Sequence, residues 1–347
     1  MDGLRGAAAL YVMLHHMWLE IWPVGRFPTG RIMTATGWLL WGHFAVSVFI
    51  VISGYCLTLP VVARGRSGFS FGNFFKHRAR RILPPYYFGM LLTGVLILTC
   101  IGRKTGTHWD MVLPATFGSV ARGLLLVPEF GGTINHTYWS VGVECKIYLL
   151  FPLVLWSHRR LGVLRSTAAF TAATLVLAYF ERDWALSVYL ALFCMGGAAA
   201  YIVNSEAPFW DKIRRWRAWA VVWIAGWAIT AVLLHASGYK EWRFCMIDPM
   251  VGAAAVATLA IAGRTGPAWN PLRVVLSWRP LVLAGAFSYS LYLIHGPLIQ
   301  VVWQYLIARW FATPVERFTA LVIIGSPLIV LASWIFYRFC ERPFASH

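Results

Sequence analysis

Ten apolar runs, each long enough to cross a bilayer at about 20 residues, follow one another along these 347 residues. They fall near 4–22, 37–60, 82–101, 138–157, 163–180, 184–203, 217–235, 245–263, 281–305 and 316–338. A chain of this pattern has few options. In hydrocarbon every backbone N–H and C=O must find its partner inside the segment, so such runs fold as α-helices. The composition agrees: 59% of residues are hydrophobic and 12% charged, whereas soluble domains carry about 25% charged residues. Nineteen Trp and 14 Tyr suit aromatic belts at two interfaces. The expected fold is therefore all-α, a polytopic transmembrane helical bundle of about ten helices forming a single membrane-embedded domain over 1–347. The stretch 102–137 is too polar, and too rich in Gly and Pro, for a clean span. It is expected to fold back as a re-entrant or interfacial segment.

The net charge of +17 would point to nucleic acid in a soluble protein. Here no basic, aromatic-interleaved soluble module exists to carry such binding, and cytoplasmic loops of membrane proteins are rich in Lys and Arg. Counting cations on alternate sides of ten spans gives nineteen on one side (Arg5, Arg64, Arg66, Lys76, Arg78, Arg80, Arg81, Arg159, Arg160, Arg165, Lys212, Arg214, Arg215, Arg217, Arg264, Arg273, Arg279, Arg338, Arg342) and ten on the other. Lys146 lies within a span. The richer side is expected to be cytoplasmic, with both termini inside, in a multi-pass protein of the inner (plasma) membrane. The six cysteines form no CxxC pair and sit mostly in apolar runs, so they read as small hydrophobes, not as a disulfide frame or a metal site. No metal is expected. The first run lacks a basic start and a small-residue cleavage site. Met1 stands directly before DGLRG, which leaves a native start further upstream open.

Several spans contain groups that lipid does not tolerate without a reason. In the first run, Arg5 and His16 are eleven residues apart, about 20° off one helical face and about 16 Å along the axis. His15 lies roughly 80° to the other side and serves as the internal control. An arginine that snorkels and a histidine that bonds a neighbouring helix would each be ordinary alone; on one stripe they favour function. In FFKHRARRILPPYYF (74–88), Arg78 and Arg81 are i,i+3 neighbours at the start of the third span. Two guanidinium forks on one face suit bidentate phosphate binding. In HTYWSVGVECKIYLLFPLVL (136–155), Glu144 is an intramembrane carboxylate, a functional position by default. Lys146, two residues on, points away from it and is a poor partner. Ser53-Gly54 in the second span reads first as a small-residue helix contact. His295, followed by Gly296-Pro297, reads as a hydrogen-bonding histidine at a kink as readily as a reacting one.

Taken together, these stretches resemble the acyltransferase-3 family of integral membrane acyltransferases. The family's opening motif appears as Asp2-Gly3-Leu4-Arg5-Gly6 with His16, and its FF.ISG motif as Phe49-Ile50-Val51-Ile52-Ser53-Gly54. Its F…R..RI.P.Y motif appears as Phe74, Arg78, Arg81, Ile82, Pro84 and Tyr86. Its W.L.VE..FY.LFP motif appears as Trp139 to Glu144, Ile147-Tyr148 and Phe151-Pro152. Its late motif runs from Tyr289 to His295 with Pro297, and ERPF at 341–344 matches the closing segment. Cys145-Lys146 stands where many members have Glu-Gln, and Ile147 replaces an aromatic. With no SGNH-type hydrolase domain in the sequence, the chain is similar to stand-alone, O-acetyltransferase-like members.

The resemblance implies transfer of an acyl group from cytoplasmic acyl-CoA, with acetyl-CoA as the commonest donor, to a hydroxyl of a glycan or lipid-linked sugar. The coenzyme phosphates are expected at Arg78, Arg81 and Arg5, with the pantetheine arm running along the first helix. His16 is then the general base, since its ordinary pKa of about 6.5 lies near working pH. Glu144 is expected to hold its tautomer or bind the acceptor. Ser53, Tyr86, Tyr148 and His295 support the site. A covalent acyl intermediate on His16 or Ser53 is the enzymatic alternative. The alternative from another class is a transporter or flippase of a sugar-lipid or acyl metabolite using buried His and Glu, although the inverted repeats and paired broken helices of many transporters are not evident. The membrane lipid, the donor and the acceptor are the expected partners.

Overall fold

The computed structural model describes residues 1–64, 70–127, 132–180, 185–237, 244–263 and 270–345. Among the cations counted above, Arg66, Arg182, Lys240, Arg243 and Arg264 lie outside the described residues. Every described regular element is helical. They are α1 (Asp2–Ile21), α2 (Gly30–Thr36), α3 (His43–Arg64), α4 (Phe71–Leu96), α5 (Phe117–Leu124), α6 (Tyr138–Leu161), α7 (Val163–Phe180), α8 (Ala185–Asn204) and α9 (Pro208–Ile213). Then come α10 (Trp216–Ser237), α11 (Phe244–Ala262), α12 (Pro271–Leu276), α13 (Arg279–Ala286), α14 (Ser288–Val302), α15 (Pro314–Ala320), α16 (Ser326–Phe336) and α17 (Arg342–Ala345).

Among the described residues each of the ten apolar runs is helical, and fewer than ten of the helices have the length and composition of a membrane span. By length and composition, six described helices are long and apolar enough to cross a membrane: Gly30–Ala63, Phe71–Ile101, Tyr138–Leu161, Leu186–Asn204, Trp216–His235 and Pro314–Ala345. A seventh arises if Arg279–Ala286 and Ser288–Ile307, bent by 80° at their junction, are one broken span. The shortfall has physical causes. The helix α1 carries Asp2, Arg5 and Glu20 among its apolar residues. The apolar parts of α7 and α11, Val163–Leu177 and Met246–Ala262, are short. The third run also begins earlier than expected: α4 starts at Phe71 and continues through Pro84 and Pro85. The basic motif therefore lies inside a helix rather than at its mouth. Proline at these two positions leaves the carbonyls of Arg80 and Arg81 without their intrahelical donors; just beyond them, the Tyr289 hydroxyl donates to the Ile82 carbonyl at 3.0 Å and ties α4 to α14.

The chain forms two compact units. The first comprises Met1–Arg5, Val46–Phe71 and Val143–Val282. In it α8 packs on α7 and α11, and α11 on α10. The crossing of α3 and α8 is built on two glycines. A Cβ at Gly54 would collide with the Phe193 carbonyl, and one at Gly196 with the Val51 carbonyl. This is the small-residue contact that Ser53-Gly54 predicts, and it lets two backbones approach closely.

The second unit comprises Gly6–Ala45, Gly72–Gly142 and Leu283–His347. Its organising helix is α14. Glu341 accepts from the backbone N–H of Ser290 (3.0 Å) and from its hydroxyl (2.5 Å), placing a buried carboxylate at the N-terminal turn of α14, where the helix dipole favours it. The described residues of the segment 102–137 include short helical turns and several buried side chains. Its short helical turn at His108–Val112 drives Trp109 into a buried cluster with Ile101, Val112 and Leu113. Thr107 donates to Gln300 Oε1 at 3.0 Å and Asn135 Nδ2 to the Leu293 carbonyl at 3.0 Å. Both ends of the folded-back segment are thus clipped to α14.

Candidate active site

The two clips decide which side chains meet. Thr107 precedes His108, and Asn135 precedes His136, so tying both to α14 delivers two imidazoles to the helix that carries His295. The helix α1 supplies a third. The His16 ring lies 4.6 Å from that of His136, 4.9 Å from His295 and 5.9 Å from His108, centroid to centroid. The His108 and His136 rings are 4.9 Å apart. Four histidines from α1, α14 and the folded-back segment converge in one place.

Hydrogen bonds fix the tautomers of two of them. His295 Nδ1 lies 2.9 Å from the Leu291 carbonyl, one turn back on α14. A carbonyl only accepts, so this nitrogen carries a proton. In an uncharged ring Nε2 is then the acceptor. His295 Nε2 lies 2.8 Å from His16 Nδ1, so His16 Nδ1 is the N–H donor. The His16 lone pair is thereby left on Nε2. A chain of two donated bonds, from His16 to His295 to Leu291, orients the ring and selects its basic nitrogen, a role that a carboxylate or carbonyl often plays toward a functional histidine.

His15 is spent differently. It is buried, and its Nδ1 donates to the Leu39 carbonyl at 2.7 Å. His136 is 7% exposed, yet neither ring nitrogen has a hydrogen-bond partner among the described residues. Each unmade bond to a buried polar group costs about 1–3 kcal/mol. Glu20, one turn beyond His16 on α1, is also buried, and its Oε1 lacks a partner among the described residues.

The other expected residues fall into place as follows. Glu144 accepts from Ser53 Oγ at 3.0 Å and from the Tyr148 hydroxyl, and the Ser53 and Tyr148 hydroxyls are 2.8 Å apart. Glu144, Ser53 and Tyr148 are thus one cluster in the first unit, and the group that sets the His16 tautomer is His295. Arg5, also in the first unit, lies 3.7 Å from Asp2 and 3.3 Å from Cys56 Sγ. Arg78 and Arg81 are half-buried on α4, while Lys76 and Arg80 beside them are exposed, so the i,i+3 pair does share the inward face. Tyr86 is buried and donates to the Gly123 carbonyl at 2.8 Å, tying α5 to α4. Lys146 is exposed, turned away from Glu144 as the i,i+2 spacing predicts. His108 and His136 were not expected. His136 stands at the head of the HTYW stretch and His108 beside a tryptophan in the polar segment, and nothing in their spacing signals that they meet.

The apolar helices point to a multi-pass helical membrane protein, and one of its compact units gathers four histidines. The chain belongs to the acyltransferase-3 family: the family model, described as an acyltransferase domain, matches residues 1–338. It is 24% identical to O-acetyltransferase OatA of Staphylococcus aureus over 99% of this chain and 56% of that protein. It is 25% identical to acyltransferase MdmB of Streptomyces mycarofaciens over 86% of this chain and 78% of that protein. It is 24% identical to the putative peptidoglycan O-acetyltransferase YrhL of Bacillus subtilis over 99% of this chain and 54% of that protein. The chain thus spans about half the length of OatA and YrhL. No solved structure matches it.

Proposed function

We propose that this acyltransferase is an O-acyltransferase that moves an acyl group, acetyl in the first instance, from acyl-CoA to a hydroxyl of a glycan or lipid-linked sugar, with His16 as the general base. The observation that carries the reading is the 2.8 Å bond between His16 Nδ1 and His295 Nε2, because it leaves the Nε2 lone pair of His16 committed to receiving a proton. His16 Nε2 takes the proton of the acceptor hydroxyl as its oxygen forms a bond to the thioester carbonyl carbon. The carbon–sulfur bond then breaks, and His16 returns the proton to the departing thiolate. A base so placed contributes about 10²–10⁴-fold, and a thioester, already activated, needs little beyond that and alignment.

Arg78 and Arg81 are proposed to grip the coenzyme phosphates. Two half-buried guanidinium groups one turn apart on one helix face suit an anionic, multidentate partner. Positive-inside counting supports a cytoplasmic position for this basic run and for both termini, and with it an inner (plasma) membrane location. Both compact units are interleaved along the sequence, so 1–347 is proposed to work as one membrane-embedded domain. The names of OatA and YrhL support acetyl as the group transferred, and that of YrhL supports peptidoglycan as the glycan to try first. The test is acyl transfer from labelled acetyl-CoA by the purified chain in detergent, with muropeptide and lipid-linked sugar acceptors compared. Label retained on the protein without acceptor would overturn direct transfer.

A further inference from the structure

We propose that His16, His108 and His136 form a binding site for a divalent transition-metal ion of the Zn²⁺ type, and that the ion, when bound, withholds the His16 lone pair from catalysis. The second half rests on the reading of His16 as the base.

Four observations carry the site. One ligand nitrogen from each of the three rings lies within 4.8 Å of the other two. Zinc binds imidazole nitrogen at about 2.0–2.1 Å in tetrahedral geometry, so a modest inward swing of the rings closes the cage, and His108, half-buried on a short turn, has the room to supply it. His136 is buried with both nitrogens unpartnered among the described residues, an arrangement that a metal bond explains and apolar packing does not. His16 Nδ1 donates to His295, which leaves Nε2 as its metal-facing atom. That bond is the outer-shell contact that characteristically orients a ligating histidine. Finally, Glu20 lies one turn along α1 from His16, buried and with Oε1 unpartnered among the described residues.

The donor set selects the ion. Three imidazoles with no carboxylate ligand favour Zn²⁺, Co²⁺, Ni²⁺ or Cu²⁺ over Mg²⁺ or Ca²⁺, which require oxygen. Three protein ligands leave a fourth position open. Coordination and proton abstraction use the same Nε2 electron pair, so they exclude each other.

The test uses Co²⁺ as a spectroscopic stand-in for Zn²⁺ on the purified full chain in detergent after chelator treatment. The wild type should bind one Co²⁺ per chain with the intense visible d–d bands of a tetrahedral site, displaced by Zn²⁺. His108→Ala and His136→Gln should each lose the bands and the stoichiometric binding. His108→Ala is the safer variant, because its position is half-buried. In acyl-transfer assays Zn²⁺ should inhibit the wild type, and both variants should need at least tenfold more Zn²⁺ for the same inhibition. Absence of stoichiometric Co²⁺ binding, or binding unchanged in both variants, overturns the site while leaving the acyltransferase reading intact. Binding at the trio with Zn²⁺ raising turnover overturns the proposed inhibition, and with it His16 as a free base. A chain that binds Co²⁺ at the trio yet transfers no acyl group supports the site and counts against the catalytic reading alone.

Discussion

His295 touches His16 and, in the proposed mechanism, acts only through it. Replacing it with Ala removes the acceptor for the His16 Nδ1–H and frees the ring to turn or change tautomer. The expected result is a fall in kcat of about 10–100-fold, the usual range for an orienting partner, with little change in KM. His295→Gln, whose side-chain oxygen can accept the same hydrogen bond, should recover part of the loss. A purely structural histidine would give no such rescue, so steady-state kinetics on the two variants separates the roles. His15 provides the contrast. It is buried and bonded to the Leu39 carbonyl, so it is a worse internal control than its angular position alone implies. His15→Ala should lower the unfolding midpoint in detergent, through a lost buried bond and a cavity, while the kcat of the surviving folded protein stays within a few-fold. His16→Ala should do the reverse. The sequence pattern marks His16 through its register with Arg5, and His295 through its motif. It conceals that the two are hydrogen-bonded, because 279 residues separate them. Glu144, expected to hold the His16 tautomer or to bind the acceptor, accepts from the Ser53 and Tyr148 hydroxyls within its own unit.

At the scale of elements, hydrophobic periodicity locates helices well and their interruptions poorly. All ten apolar runs are helical, yet α4 passes through Pro84-Pro85 and the ninth run is bent by 80° between α13 and α14. The contacts that fasten these helices, Tyr289 to the Ile82 carbonyl and Glu341 to Ser290, are long-range and invisible to local pattern. The same holds for 102–137. Its polarity sets it apart from the apolar runs, but only the clips Thr107–Gln300 and Asn135–Leu293 bring His108 and His136 to α14. Where the sequence signal is a small residue at a helix crossing, it is dependable. Gly54→Val would force a branched side chain into the Phe193 carbonyl. The expected cost is at least the ~1–3 kcal/mol of an overpacked core, read as a lowered unfolding midpoint with loss of monodisperse protein. Arg81→Ala on α4 should leave the fold unchanged and raise KM for acyl-CoA about tenfold or more, a loss in keeping with a charged hydrogen bond; kcat should change little. An unchanged donor KM would remove the coenzyme phosphates from this face.

For the whole molecule, the question is what a membrane-embedded helical protein gains from burying so many imidazoles. Composition announces the membrane, and the ordered motifs announce the family. Neither announces the convergence of His16, His108, His136 and His295, which is a product of the tertiary fold of the second unit. Buried groups with lone pairs are costly in apolar surroundings, and their concentration at one place is what motivates the proposed site. The proposed mechanism turns on His16 Nε2. Its most direct test is single-turnover acyl transfer from labelled acetyl-CoA to an added glycan acceptor by purified wild type and His16→Gln, matched for unfolding midpoint. The variant should still bind donor but transfer label at least about 100-fold more slowly, within the usual reach of general-base catalysis. Transfer by His16→Gln at the wild-type rate would contradict this mechanism.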